Sequence, residues 1–281
     1  MNEVPITWVD AFTDRPFGGN PAAVCLLEGP VDPAWMQGLA TELGLSETAF
    51  VWDEADAMSL RWFTPGTEVD LCGHATLAAA HALRGWGRFS DGDVISFSTR
   101  SGTLAARLSD DVIELDFPAD PAMPTAPPEA LAGALRGPEG SGLVAVATSR
   151  SGHSLVVELT DPGSVRTAVV DRAAVASLPD GAMMLTAPGP AAGPSEDPAA
   201  GADYVLRMFG PKVGIDEDPV TGSAQCVLGP YWAERLGCQA LSAAQVSARG
   251  GRMEVTVRGD RAGIAGRAVT VLRGSLAAVA T

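Results

Sequence analysis

The strongest constraint on the fold is a pattern that occurs twice. Leu60, Trp62 and Phe63 lie in an extended apolar run within Arg61-Trp-Phe-Thr-Pro65, and Pro65-Gly66 ends it. Cys72-Gly73-His74 then opens a segment, Thr76 to Leu83, made mostly of Ala and Leu. An apolar run closed by Pro-Gly predicts a strand and a turn, and an Ala/Leu run predicts a helix. Arg207-Met-Phe-Gly-Pro211 repeats the first half of the pattern, and Thr221-Gly-Ser-Ala224 followed by Gln225 to Leu236 repeats the second. The offset is 146 residues from Arg61 to Arg207 and 149 from Cys72 to Thr221, so the second copy has the longer turn. Such self-similarity predicts two structural repeats whose helix N-termini face each other across a cleft.

The chain's 281 residues suffice for two domains of ordinary size or one large one, and 46% hydrophobic residues can fill a core. Net charge is −15, with one Lys and 18 Arg. Such a surface offers nothing to offset phosphate repulsion, which argues against nucleic acid or an anionic membrane as partner. A small anionic substrate stays compatible, because helix dipoles and a single Arg act locally. The segment Met-Asn-Glu-Val-Pro-Ile has neither a basic nor an apolar leader region, and no apolar run reaches about 18 residues, so a soluble, cytoplasmic protein is expected. Cys25, Cys72, Cys226 and Cys238 show no paired spacing and read as free thiols. With His74, His81 and His153 only, no His/Cys/carboxylate group has metal-ligand spacing, and no metal site is expected. Neither GxGxxG nor GxxxxGK[ST] occurs, so nothing supports a nucleotide cofactor.

In chain order, residues 4–12 predict a strand, 13–21 a loop by its Pro and Gly, and 22–27 a second strand. Gly18-Gly19-Asn20 offers backbone N–H groups and an amide to a ligand, or is a plain turn. Asp32-Pro33 is an N-cap followed by Pro at the first helical position, and Gly44 is a stop, which predicts a helix over 33–43. A strand over 49–52 follows. After the first repeat, 94–98, 103–108 and 112–117 read as an antiparallel meander. Five prolines from Pro118 to Pro128 suggest a linker. This divides the chain into an N-terminal lobe, 1–120, to which the last C-terminal strand can be joined, and a C-terminal lobe, 121–281. The second lobe begins with a helix over 129–135 and strands over 143–148 and 154–159. A short helix at 171–178 and a strand at 183–186 come next. Residues 188–201 are a Pro/Ala/Gly-rich loop. Strands over 204–209, 241–248, 253–258 and 262–272 complete the lobe. The predicted class is α+β, with two pseudo-symmetric lobes. Each is a curved, mostly antiparallel, barrel-like sheet around a central helix. Leu77, Ala78, Ala79, Ala80 and Ala82 leave the first of these helices no obvious solvent face.

The candidate chemistry is Glu47, Cys72-Gly73-His74, Asp218 and Thr221-Gly222-Ser223. A carboxylate entering a strand beside Phe50 and Val51 is exposed to desolvation, which raises its pKa toward the range a general acid/base needs. The alternative is a capping or solvent-facing Glu. The repeat brings two helix starts together, where N–H groups at Gly73 and Gly222 can hold a carboxylate at close approach. Around it stand Glu47 or Asp218, His74, and the hydroxyls of Thr221 and Ser223. That set suits abstraction of a proton beside a carboxylate-bearing carbon and its return elsewhere. Cys72 is a second possible base, since a helix N-terminus lowers a thiol pKa. Each residue also has a structural reading: His74 as a helix cap, 216–218 as a solvated acidic turn, Cys72 as a small buried residue.

Phe17-Gly-Gly-Asn-Pro-Ala-Ala-Val24, Leu45-Ser-Glu-Thr-Ala-Phe-Val51, Arg61-Trp-Phe-Thr-Pro65, Cys72-Gly-His-Ala-Thr76 and Asp218-Pro-Val-Thr-Gly-Ser-Ala224 together resemble the hallmark segments of the phenazine-biosynthesis PhzF-like family, in that family's order. The resemblance implies a diaminopimelate-epimerase-like fold with the active site between two lobes. It implies a cofactor-independent isomerase, plausibly a homodimer. Glu47 is then the general acid/base, His74, Asp218 and Ser223 are supporting polar groups, and Gly73 and Gly222 are the carboxylate-binding helix starts. Related epimerases use a cysteine at each helix start. Thr221 stands at the second one here, which speaks against a symmetric two-thiol racemase. A Cys-assisted epimerase or dehydratase and a non-catalytic metabolite-binding protein remain as alternatives.

Overall fold

The structure, a computed structural model, describes residues 3–152, 154–190 and 199–277. His153 and residues 191–198 of the loop expected over 188–201 lie outside the described residues. The elements of the first half are β1 (Val4–Ala11), β2 (Asn20–Leu26), α1 (Pro33–Leu43), β3 (Glu47–Glu54), β4 (Ala57–Phe63), β5 (Glu68–Val69), α2 (Gly73–Gly85), β6 (Val94–Thr99), β7 (Gly102–Ser109) and β8 (Val112–Pro118). Then come β9 (Met123–Pro124), α3 (Leu131–Ala134), β10 (Leu135–Arg136), β11 (Ala145–Arg150), β12 (Leu155–Leu159), α4 (Pro162–Thr167), β13 (Val169–Val170), α5 (Arg172–Ser177) and β14 (Met183–Pro188). The chain ends with β15 (Tyr204–Gly210), β16 (Ile215–Asp218), α6 (Ala224–Leu236), β17 (Ala240–Gln245), β18 (Gly251–Arg258), β19 (Arg261–Gly266) and β20 (Ala268–Leu276).

Local chemistry explains most helix limits. The Asp32 carboxylate accepts the Ala34 N–H at 2.9 Å, Pro33 occupies the first turn, and Gly44 closes α1 at φ 62°. Asp171 starts α5 in the same way, accepting the Ala174 N–H. The sequence reading passed over α4, although Asp161-Pro162 carries the Asp-Pro signature of α1. The helix expected over 129–135 is a single turn, α3. The strand expected over 262–272 is divided between β19 and β20. At the break, Gly266 lies against the Phe12 ring, where a Cβ would come within 2.5 Å.

The chain forms two compact units, Met1–Phe117 with Ile264–Thr281, and Pro118–Gly263. In the first, β1 pairs antiparallel with β2 and with β20, β2 runs parallel to β3, and β3 pairs antiparallel with β4. β4 runs parallel to β6, and β6, β7 and β8 form an antiparallel meander. Strand alternation then sorts the side chains. Ala23, Cys25, Phe50 and Trp52 pack with Met36 and Ala40 of α1. The opposite parity, Asn20, Ala22 and Val24 on β2 and Glu47, Ala49 and Val51 on β3, is buried as well. Helix α2 packs against β1, β2, β3, β7 and β20, and every residue from Gly73 to Ala80 is buried. Its small side chains are what let it lie so close to strands.

In the second unit, β11 pairs antiparallel with β12, β12 runs parallel to β14, and β14 pairs antiparallel with β15. β15 pairs antiparallel with β16 and parallel with β17, which pairs antiparallel with β18. Leu155, Val157, Leu185, Val205 and Phe209 are core, together with Val165 of α4 and Val175 of α5. Trp232 of α6 donates its indole N–H to Thr186 Oγ1 at 2.9 Å and stacks on Tyr204. The sheets are mixed, and no closed barrel is formed among the described residues.

The same local unit occurs in both halves. β4–β5 and β15–β16 are antiparallel pairs, each followed by a 13-residue helix. Arg61 forks onto the Glu68 carboxylate with two 2.7 Å bonds and lies over the Phe63 ring. Arg207 forks onto Glu217 at 2.7 and 2.8 Å and lies over Phe209. Two-point Arg–carboxylate geometry fixes the turn before each helix.

His81 interrupts the buried run of α2. Its Nε2 lies 3.0 Å from Thr270 Oγ1, and burial, then Arg84 and Arg273, lower its pKa to about 4. A neutral His81 in the fold and a free His near 6.5 in the unfolded chain mean that the unfolded state binds the extra proton first. Stability therefore falls as pH drops from about 6.5 to about 4, by about 3 kcal/mol at most. His81→Gln should flatten this slope in urea unfolding at pH 7 and pH 4.5. An equal slope in both proteins would refute it.

Candidate active site

Strand register builds the first group of functional residues. Because β2 and β3 run parallel with Ala22 opposite Glu47, Asn20 and Glu47 stand at the same end of neighbouring strands, on matching parities. Both strands begin two residues earlier than the sequence predicts, so Asn20 and Glu47 are held by the sheet. Gly19, just before Asn20, has φ 62°, and a Cβ there would meet the Ala11 carbonyl oxygen at 2.1 Å. Glycine is required at that position.

The start of α2 meets this sheet end. His74 Nε2 lies 3.0 Å from Glu47 Oε2, and Nδ1 lies 3.2 Å from Asn20 Nδ2 and 3.5 Å from Cys72 Sγ. All four residues are buried, with Asn20 at 0%, His74 at 5%, and Glu47 and Cys72 at 7% exposure. With Asn20 donating to Nδ1, the neutral form of the ring carries its proton on Nε2, facing Glu47. Burial works against a charged His74, but the neighbouring Cys72 and Glu47 outweigh it and raise its pKa well above the usual value. The Cys72 thiol is itself pushed up, by burial first and then by Glu47, and stays neutral. Glu47 is thus the partner that holds the proton on His74. The expected lowering of the Cys72 thiol by the helix start is corrected: loss of solvent outweighs the helix dipole. His74 is not the side-chain cap of its helix either, since Cys72 is the N-cap residue and no side chain caps the first turn, which starts at Gly73.

Ligand atoms of Glu47, Cys72 and His74 all lie within 4.8 Å of one another. Chain spacing could not show this, because Glu47 comes from another element.

The second group lies on the turn before α6. Thr221 Oγ1 donates to Asp218 Oδ2 at 2.5 Å, and the neighbouring acidic residues are paired, Glu217 with Arg207 and Asp216 with Arg172. The helix proper starts at Ala224 with Ser223 as N-cap and no side-chain cap, so Gly222 precedes the helix instead of opening it. Ser223 is exposed and Gly222 buried. Gln245, which sequence reasoning missed, clamps this turn. Its Oε1 accepts the Thr221 N–H at 2.8 Å, and its Nε2 donates to the Asp218 carbonyl at 2.7 Å. A lone Gln in a strand gives no signal of such a role.

Among the described residues no helix is long and apolar enough to cross a membrane. A profile of the phenazine biosynthesis-like protein family matches residues 9–274. An uncharacterized isomerase of Halalkalibacterium halodurans is 41% identical over 277 residues, covering 98% of this chain and 99% of the relative. The crystal structure of a phenazine biosynthesis protein of the PhzF family from Enterococcus faecalis superimposes with a TM-score of 0.89 at 37% identity, covering 98% and 99% of the two chains. A hydroxyproline epimerase from Agrobacterium vitis shares the fold, with a TM-score of 0.59 at 13% identity over 98% of this chain and 92% of that one.

Two outcomes follow from the geometry. Iodoacetamide should label exposed Cys238 first and buried Cys72 at least about tenfold more slowly, read by peptide mass spectrometry. Equal rates would contradict a neutral, buried thiol. Gln245→Leu leaves the Thr221 N–H and the Asp218 carbonyl without their partner and should cost about 2–5 kcal/mol in urea unfolding; a loss under about 1 kcal/mol would show that the clamp is dispensable.

Proposed function

The chain belongs to the phenazine biosynthesis-like family, and from that premise we propose that it is an isomerase that shifts a proton within a small carboxylate-bearing metabolite, with Glu47 as general acid and base. The observation that carries this reading is the buried Glu47 carboxylate set 3.0 Å from His74 beside a neutral thiol. In the reaction, Glu47 removes a proton from carbon, and the electron pair left behind spreads into the adjoining unsaturated system. The protonated Glu47 then returns the proton at a second carbon, so the product is an isomer and no other reactant is consumed. His74 holds the Glu47 carboxylate by its Nε2–H, and Asn20 orients the imidazole from the other side. The uncapped first turn at Gly73 supplies N–H groups for the substrate carboxylate. In the second unit, Asp218, Thr221, Gly222 and Ser223 form a polar turn before α6 that is suited to contact a carboxylate substrate. The Asp218 carboxylate is a supporting polar group that accepts a hydrogen bond from the Thr221 hydroxyl.

A positioned general acid/base contributes about 10²–10⁴ in rate. Incubation with a panel of small unsaturated carboxylates in D₂O, followed by NMR, should show solvent deuterium entering the product. Glu47→Gln should lose at least about 10² in turnover while its urea midpoint stays near that of the parent protein. Full turnover in that variant would remove Glu47 from the mechanism.

A Cys72-assisted epimerase or dehydratase is the second reading, favoured by Cys72 Sγ 3.5 Å from His74 Nδ1. An active Cys72→Ala variant would dismiss it.

A further inference from the structure

We propose that Glu47, Cys72 and His74 also form a binding site for a soft divalent cation of the zinc type, and that such an ion reversibly blocks the enzyme. The proposal rests on the reading of Glu47 and His74 as the proton-handling groups. Three donors of three kinds, a carboxylate, a thiol and an imidazole, converge with their ligand atoms within 4.8 Å of one another. Zinc bonds of about 2.3 Å to sulfur and about 2.0 Å to nitrogen in a tetrahedral arrangement separate the two ligand atoms by about 3.6 Å. His74 Nε2 lies 4.0 Å from Cys72 Sγ and 3.0 Å from Glu47 Oε2, and the three ligand atoms span no more than 4.8 Å, so side-chain shifts of about an ångström place one ion between the three.

Charge makes the site selective. A thiolate and a carboxylate balance a doubly charged ion, and the imidazole adds a neutral ligand, so the complex brings no net charge into a buried place. The thiol proton leaves to solvent as the metal–sulfur bond forms, and the Nε2 proton of His74 leaves as that nitrogen takes the ion. Sulfur and imidazole favour zinc or cobalt over magnesium and calcium, which demand mostly oxygen ligands. Asn20 becomes the outer partner of the imidazole: with the ion on Nε2, Nδ1 carries the proton, and a half-turn of the amide presents its carbonyl oxygen. The ion then occupies the Glu47 oxygen and the His74 nitrogen that the reaction needs, and proton transfer stops.

The test uses the full chain with the exposed Cys238 changed to Ser, freed of metal by a chelator. Equilibrium dialysis with Zn²⁺ should give one ion per chain at micromolar concentration, and none with Mg²⁺. Co²⁺ should show a thiolate-to-metal charge-transfer band. Cys72→Ser, close to isosteric, should abolish the band and the stoichiometric binding, and Glu47→Gln should abolish the binding. Asn20→Ala should weaken it by about 10–100-fold. Absence of stoichiometric zinc in the parent protein, or binding that survives Cys72→Ser, would overturn the site. Dialysis and the cobalt band need no substrate. Zinc binding without Glu47-dependent deuterium exchange would therefore overturn the isomerase reading alone, and exchange that zinc at saturation leaves unchanged would overturn the inhibition.

Discussion

Everything near the candidate site depends on burying a helix from its first residue. A helix start leaves N–H groups with no partner inside the helix, and water or a capping side chain normally takes them. Helix α2 starts inside the first unit with Gly73, His74 and Ala75 all buried and no side-chain cap. Such a start is tolerated where an anion completes it, and the first turn is then a ready carboxylate site. The same burial removes water from His74 and Cys72, so their behaviour is set by each other and by Glu47. The alanine run has a matching role, since larger side chains on α2 would hold it off β2 and β3 and draw His74 away from Glu47.

Sheet pairing supplies the other half of the geometry. Asn20 and Glu47 are far apart in the chain, yet the parallel register of β2 and β3 sets them side by side, on the parity opposite the α1 core. Once that register is fixed, a slip of one residue would turn both side chains into the α1 core. The left-handed backbone at Gly19 and the αL stop at Gly44 therefore matter to the chemistry, because each sets where a site-bearing strand begins.

The parts of the fold that local signals govern were legible in the sequence. Asp32-Pro33 and Gly44 bound α1 as read, the meander of β6 to β8 follows from its turns, and the Arg-x-Phe repeat marks a shared strand–turn–helix unit in each half. What failed to show was what depends on distant residues. The Cys72 pKa was misjudged because the helix dipole is a local effect, whereas burial and the Glu47 charge come from the folded chain. Gln245 gave no signal because its partners, Asp218 and Thr221, reach it only through the pairing of β17 with β15. The convergence of Glu47 on Cys72 and His74 was invisible to ligand spacing for the same reason.

The two copies of the repeat also show which part of the unit is scaffold. The Arg–Glu fork over a Phe ring is kept in both, because it closes the turn that aims a helix start. The residues at the starts differ: Cys72-Gly73-His74 in one and Thr221-Gly222-Ser223 in the other. The first start carries a thiol and an imidazole beside Glu47, the groups to which the proposed proton transfer and ion binding are assigned. The second is a hydroxyl–carboxylate pair held by Gln245, able to donate and accept hydrogen bonds but without a thiol. A racemase that works from both faces of a carbon with matched thiols needs equal starts. Unequal starts suit a reaction in which one carboxylate, Glu47, both removes the proton and returns it. Under the proposed mechanism, that single dependence makes an ion seated on Glu47 and His74 sufficient to stop the reaction.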